Sequence, residues 1–276
     1  MTTLDEYIDD RLSQGRAYFS RQEALPVLGS TPVALGTAFT RQIRKGRLAN
    51  PRHGFYLILR PEAAADADAE IERVPDPTLW IDALMKHQGI DYRISLLRAV
   101  AFHGMVHQDA PAFQIILPKQ VRDFEIGRHR LQFTYQEPAA FAQVNRSDWL
   151  SSLKSNAGIT HVAGIELTLL DCACHFHKTA GIQGLARIVK DLGGQAHPSR
   201  LAEAAAHYEN SSVRRLGYLL ERMGHSQQAD ALRPFVSQAT TAALLNPDIT
   251  PLHEGADEIK ERAQKWMLHI NVPIGD

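Results

Sequence analysis

Cysteine is nearly missing from this chain. The two present, Cys172 and Cys174, stand one residue apart, too close for an ordinary structural disulfide and in keeping with a reducing compartment. Long apolar runs are missing too: none approaches the ~20 residues needed to cross a bilayer. The opening MTTLDEYIDD is acidic where a signal peptide would be basic and then apolar, so the expected location is the cytoplasm and no membrane is expected as a partner. Neither a phosphate loop nor a nucleophile elbow is present, because GIQG and DLGG lack the further glycines, the lysine and the strand-to-helix setting those sites need. The most local absence is of acid: no Asp or Glu lies between Glu23 and Glu62, whereas Arg41, Arg44, Lys45, Arg47 and Arg52 all do.

What is present suffices for folded cores. With 276 residues and 44% hydrophobic content, the chain can hold one large domain or two ordinary ones. Its net charge of −1 conceals an asymmetry. Residues 1–60 carry nine Arg and Lys against five Asp and Glu, and the remainder carries 21 against 26.

Along the first 60 residues, apolar spacing predicts a helix over 4–12. A second should start after Phe19, with Ser20 and Glu23 as a capping box, Ala24, Leu25 and Leu28 as its buried face, and Gly29 as its stop. Ser30 or Thr31 caps a third helix with Pro32 in its first turn. Val33, Leu35, Ala38, Phe39 and Ile43 form its expected inward stripe up to Gly46. Leu48 and residues 55–58 then read as two short strands joined by the turn-rich tip 50–54. Three helices followed by a basic hairpin is the order of a winged helix-turn-helix. Residues 61–77, with six acids, one Arg and three prolines, form the expected acidic linker, giving domains 1–60, 61–77 and 78–276.

The remainder reads as mixed α and β: helices over 79–86, 95–103, 166–178, 182–192, 199–208 and 213–223, and strands over 113–117, 129–135 and 159–163, with 266–272 compatible with a returning strand. The expected fold class is therefore α+β.

The third helix carries the functional expectation. Its outward Thr37, Arg41 and Gln42 suit base edges in a major groove, while Arg44, Lys45, Arg47, Arg52 and His53, together with Thr31 at the helix start, suit phosphates and groove walls. A helix C-terminus also favours cations through its exposed carbonyls, which by itself accounts for Arg44 and Lys45 but not for Arg47 and Arg52. A single such module buries little surface, so a dimer or cooperative loading on repeated sites is expected. Lys119, Arg122, Arg128 and Arg130 gather around the loop between two strands; with Asp123 and Glu125 among them, an extended basic surface and a merely solvated hairpin both fit.

Other chemistry is weaker. Cys172, Cys174, His175 and His177 supply four possible metal ligands, but on a helix Cys172 shares a face with His175 and Cys174 with His177, so four cannot converge. Glu166 and Asp171, five apart, do not share a face as an acid–base pair. His103 and His107 are separated by Gly104, which ends the helix between them. No catalytic residue, cofactor or metal is assigned.

The order and spacing of GRLANPRHGFYLI, WIDALMKHQGIDYRISLLRAVAFHG, FQIILPKQVRDFEIGRHRLQF, GITHVAGIELTLLDCA and VRRLGYLLE resemble the AbiEi-type antitoxins of bacterial abortive-infection (phage defence) toxin–antitoxin systems. The resemblance implies a non-enzymatic type IV antitoxin whose N-terminal module binds inverted repeats of double-stranded promoter DNA and represses its own operon. It also implies a C-terminal domain that counteracts an AbiEii-type nucleotidyltransferase toxin, with or without direct contact. The cysteine–histidine cluster departs from the apolar and aromatic residues of relatives. The alternatives are a ligand-responsive winged-helix regulator and a DNA-targeted nucleic-acid-modifying enzyme; the enzyme would need convergent carboxylates or a metal site.

Overall fold

The protein is a mixed α/β chain, described in a computed structural model over residues 2–60, 73–104, 111–155, 158–249 and 264–275. It folds as two compact units that interleave along the sequence: Met1–Tyr92, Pro111–Tyr135 and Ser152–His161 in the first, Arg93–Ala110, Gln136–Ser151 and Val162–Asp276 in the second.

In the first unit, α1 (Leu4–Ser13) begins with a capping box in which Thr3 and Glu6 satisfy each other's backbone N–H. A short strand the sequence did not foretell, β1 (Tyr18–Ser20), precedes α2 (Arg21–Leu28). Ser20 and Glu23 cap α2 as expected: the Glu23 N–H donates to Ser20 Oγ at 3.2 Å and the Ser20 N–H to Glu23 Oε2 at 2.7 Å. Gly29 closes α2 at φ +58°, a conformation in which a Cβ would be strained. Then come α3 (Pro32–Arg44), β2 (Leu48–Arg52) and β3 (Phe55–Ile58). The strands order as β1-β3-β2, and the turn between β2 and β3 narrows to His53 and Gly54, with β2 running on to Arg52.

The core of this part is aromatic. Phe39 and Tyr56 lie 4.4 Å apart by ring centroids, Phe19 packs 5.5 Å from Tyr56, and Tyr7 meets Phe19 edge-on at 5.3 Å. Of the expected linker, residues 61–72 lie outside the described residues. Arg73 turns back, donating to the carbonyls of Arg60 (2.9 Å) and Gly46.

The first unit continues with α4 (Ile81–Gln88), and after β4 (Arg93–Ile94), which belongs to the second, it resumes with β5 (Phe113–Leu117), β6 (Phe124–Ile126) and β7 (His129–Tyr135). The segment 113–135, expected as one hairpin, is instead a three-strand arrangement. β5 and β7 run parallel in register Phe113↔Leu131 to Leu117↔Tyr135, and the intervening β6 forms the antiparallel partner of β7.

Further along the chain, β8 (Leu150–Ser155) leads into β9 (Gly158–Ala163). In the second unit β4 pairs in parallel with the end of β9 through Ile94↔Val162. The α-helices of this unit among the described residues are α5 (Leu96–Phe102), α6 (Pro138–Val144), α7 (Ile165–Cys174), α8 (Gly181–Leu192), α9 (Pro198–Ala205), α10 (Asn210–Arg222), α11 (Ser226–Leu232) and α12 (Pro234–Ser237). Residues 166–173 of α7 are all buried, so this helix is the axis of the unit. The sequence placed its end at residue 178; it stops at Cys174 because His175 leaves helical geometry, and a separate tight turn follows. The tail returns through Leu268–His269, which pairs in parallel with Ala243–Leu244. It is fixed by Arg215 Nε donating to the Leu245 carbonyl at 2.8 Å and Arg214 Nη1 to the Met267 carbonyl at 2.7 Å.

Candidate nucleic-acid interface

The geometry of α3 follows from its caps and its buried stripe. Thr31 Oγ1 accepts the Ala34 N–H at 3.3 Å and Pro32 occupies the first helical position, where its missing N–H costs nothing. The residues that face the core are Leu35, Phe39 and Gln42, spaced four and three apart on one stripe. This corrects two expectations. Val33, 80% exposed, and Ile43, 39% exposed, belong to the outside. Gln42, 1% exposed, is not a base-reading residue: its amide turns inward and donates to Asp5 Oδ1 at 2.8 Å.

The opposite face of α3 presents Val33, Gly36, Thr37, Thr40, Arg41 and Arg44, which with Arg21 and Pro32 line an open groove of about 680 Å³. Thr37 and Thr40 donate their hydroxyl protons to the carbonyls of Val33 and Gly36 in their own helix, leaving lone pairs directed outward. A Cβ at Gly36 would meet nothing within 4 Å, so the floor of the groove stands clear of the protein. Arg21 joins the elements around it. Its backbone N–H donates to the Gly54 carbonyl at 2.7 Å and its guanidinium to the Pro32 carbonyl at 2.5 Å.

The basic residues separate into two groups. The side chains of Arg41, Arg44 and Lys45 are exposed and, among the described residues, make no hydrogen bond or ion pair. Arg47 is engaged by the α1 carboxylates, pairing with Asp5 and, at 2.8 Å, with Asp9. Arg52 is half-buried, its guanidinium 4.1 Å above the Phe124 ring and donating to the Arg122 carbonyl at 2.6 Å. Burial lowers its pKa below the ordinary arginine value. Both therefore depart from the expectation of free phosphate contacts. The His53 ring is exposed, while its carbonyl faces His87 Nε2 at 3.1 Å.

The remaining candidates do not converge. Among the described residues no three His, Cys, Asp or Glu side chains gather closely enough to hold a metal ion. Cys172 is buried and burial pushes both thiols up, Cys174 to about 11. His175, partly buried at the end of α7, falls to about 4. Glu166 accepts the His197 N–H at 3.0 Å, apart from Asp171. His103 faces the Ala163 carbonyl at 2.8 Å, and His107 lies outside the described residues.

Residues 93–222 match the AbiEi antitoxin C-terminal domain. This match spans a little under half of the chain and supports an AbiEi-type antitoxin. The matched domain supports an antitoxin role within a toxin–antitoxin system. Its fold is similar to the crystal structure of the RV2827C protein from Mycobacterium tuberculosis, with a TM-score of 0.61 at 15% identity over 96% of this chain and 89% of that one; at this identity the likeness is of fold. No curated protein matches the chain. Among the described residues no helix is long and apolar enough to cross a membrane.

The AbiEi domain has a polar centre that sequence inspection missed. Arg93 and Asp171 have side chains 0% and 1% exposed. Arg93 donates from Nε and Nη2 to the two Asp171 oxygens at 3.0 and 2.7 Å, and from Nη2 to Gln136 Oε1 at 2.7 Å. Asp171 also accepts from the Ser95 hydroxyl at 2.6 Å and the Tyr208 hydroxyl at 2.7 Å. Burial opposes the Arg93 charge but the facing carboxylate outweighs it, and its pKa rises; burial, and then Asp171, raises that of Tyr208. A carboxylate already accepting from three side chains is occupied structurally, and joins β4, α7 and the residues after α9 in one buried network.

Proposed function

We propose that this chain is an autorepressing antitoxin. Residues 1–60 act as a winged helix-turn-helix that binds inverted repeats in the promoter of its own operon, 61–77 act as a linker, and 78–276 counteract a cognate nucleotidyltransferase toxin in the cytoplasm as a type IV, phage-defence system. The observation that carries the DNA reading is the outward face of α3, where Arg41 and Arg44 stand unpaired beside Thr37 and the exposed methyls of Val33. Such a face offers guanidinium donors for guanine and apolar contact for thymine methyls, with no acid to repel the backbone. Thr37, Arg41 and Val33 are the proposed base readers; Arg44, Lys45 and His53 are the proposed phosphate contacts, with Thr31 holding the helix start.

One helix face is small, so specific binding uses a second copy on the inverted site. A mobility-shift titration of the full chain with the DNA upstream of its gene tests this. Arg41→Ala with Arg44→Ala should abolish the specific shift at physiological salt while the same variant still rescues growth against the neighbouring toxin. A shift unchanged by the double substitution would remove α3 as the reading helix.

A further inference from the structure

The turn 52–54 between β2 and β3 is held from three directions inside the first unit. Arg52 lies over Phe124 and bonds to Arg122; the His53 carbonyl faces His87; the Gly54 carbonyl accepts from Arg21. A turn held at each residue is not a free wing tip, and its one arginine, Arg52, is committed to protein contacts.

The same contact brings the loop before β6 beside the turn. Arg52 takes the backbone carbonyl of Arg122, not its side chain. The guanidinium of Arg122 and the ammonium of Lys119 remain exposed and, among the described residues, make no hydrogen bond or ion pair. The acids interleaved with them are occupied: Asp123 accepts the Phe133 N–H at 2.8 Å and Glu125 faces Arg130 at 3.8 Å. Arg21 supplies continuity with α3, since its backbone bonds to Gly54 while its side chain lines the α3 groove. Available cations thus extend from Arg41 and Arg44, past the pinned turn, to Arg122 and Lys119.

We propose that Lys119 and Arg122 are phosphate contacts for duplex DNA, occupying beside the wing the role for which Arg52 is no longer available. This rests on the α3 reading above, and enlarges its footprint by two backbone contacts. Each neutralised phosphate steepens the log–log dependence of affinity on salt by about 0.9, without discriminating between sequences. Arg44 and Lys45 as phosphate-neutralising cations would give a slope of roughly −2 per copy; two more bring it to roughly −4.

The test is a salt titration of the full chain and of Lys119→Ala with Arg122→Ala, on the DNA upstream of its gene and on a random duplex of equal length. The expected result is a slope shallower by about 2 per copy, equal weakening on both duplexes, and loss of backbone protection at the flank of the footprint only. Lys119→Arg with Arg122→Lys should restore the slope. The alanine pair leaves the Arg122 carbonyl, and so the Arg52 anchor, in place; an unchanged thermal midpoint checks that the fold is kept. An unchanged slope, with Arg41→Ala and Arg44→Ala still abolishing binding, overturns this inference and leaves the α3 reading standing. Binding that survives the Arg41 and Arg44 substitutions overturns the α3 reading instead.

Discussion

A fully buried arginine persists only while an equal and opposite charge faces it, and Arg93 meets that condition through a single residue, Asp171. Removing one partner strands the other. Arg93→Ala should cost about 3–5 kcal/mol in urea unfolding, whereas replacing both with apolar side chains of similar volume should recover most of that loss. Gly217 is a second point of intolerance: a Cβ there would overlap the Trp266 ring. Gly217→Ala should destabilise by about 1–3 kcal/mol and change the near-ultraviolet signal of the buried indole. Neither position announces itself in the sequence, because what makes each critical lies far along the chain, 78 residues away for Arg93 and Asp171. The same applies to Gln42 and Arg47. A helical wheel already puts Gln42 on the stripe of Leu35 and Phe39, but the partner that satisfies its buried amide, the carboxylate of Asp5, lies 37 residues upstream. The acid-free stretch from Glu23 to Glu62 misled for the same reason, since the acids facing Arg47 come from α1.

Elements were more legible where their determinants are local. Ser20 with Glu23, Thr31 with Pro32, and the glycines at 29 and 46 mark ends that the structure reproduces, because caps act within a turn of the helix they close. Thr31→Ala should therefore lower stability by about 1 kcal/mol and fray the start of α3. The β strands fared unevenly: the residues of β5 and β7 stand out by composition, but their parallel pairing does not, since it depends on β6 turning back between them. The end of α7 gives a pH prediction. Burial holds His175 near 4 against an ordinary 6.5, with Lys178, His177 and Arg93 acting in the same direction and Asp171 against it. The unfolded chain then binds a proton the folded chain refuses, so stability is full above about 6.5 and falls as pH drops toward 4. The loss is on the order of 3 kcal/mol. Denaturant midpoints should fall across that window, and His175→Gln should flatten the decline.

At the scale of the whole molecule, the family was legible in the spacing of several short segments, while the division into compact units was not. A sequence cut at 61–77 follows charge and proline; the compact units follow packing, which places residues 111–135 with the first 92. Arg52 against Phe124 is one instance of that packing. Arg52→Ala removes it and leaves a gap over Phe124, so the full chain should lose about 1 kcal/mol or more of stability, by the ordinary worth of a desolvated cation–π contact. If the turn is pinned in order to present its flank, the same variant should also weaken DNA binding; a melt and a mobility shift on one preparation separate the two effects.

The chain passes between its two units five times. A crossover between two related genes at any one of these joints carries over only part of a unit and leaves it to complete itself against foreign segments. Wholesale exchange of the unit that holds the proposed DNA-reading face is thereby discouraged. If α3 reads an operator as proposed, new preferences are more readily reached one side chain at a time, and its outward face, where Val33, Thr37 and Arg41 have few neighbours to satisfy, is where such changes would disturb the fold least.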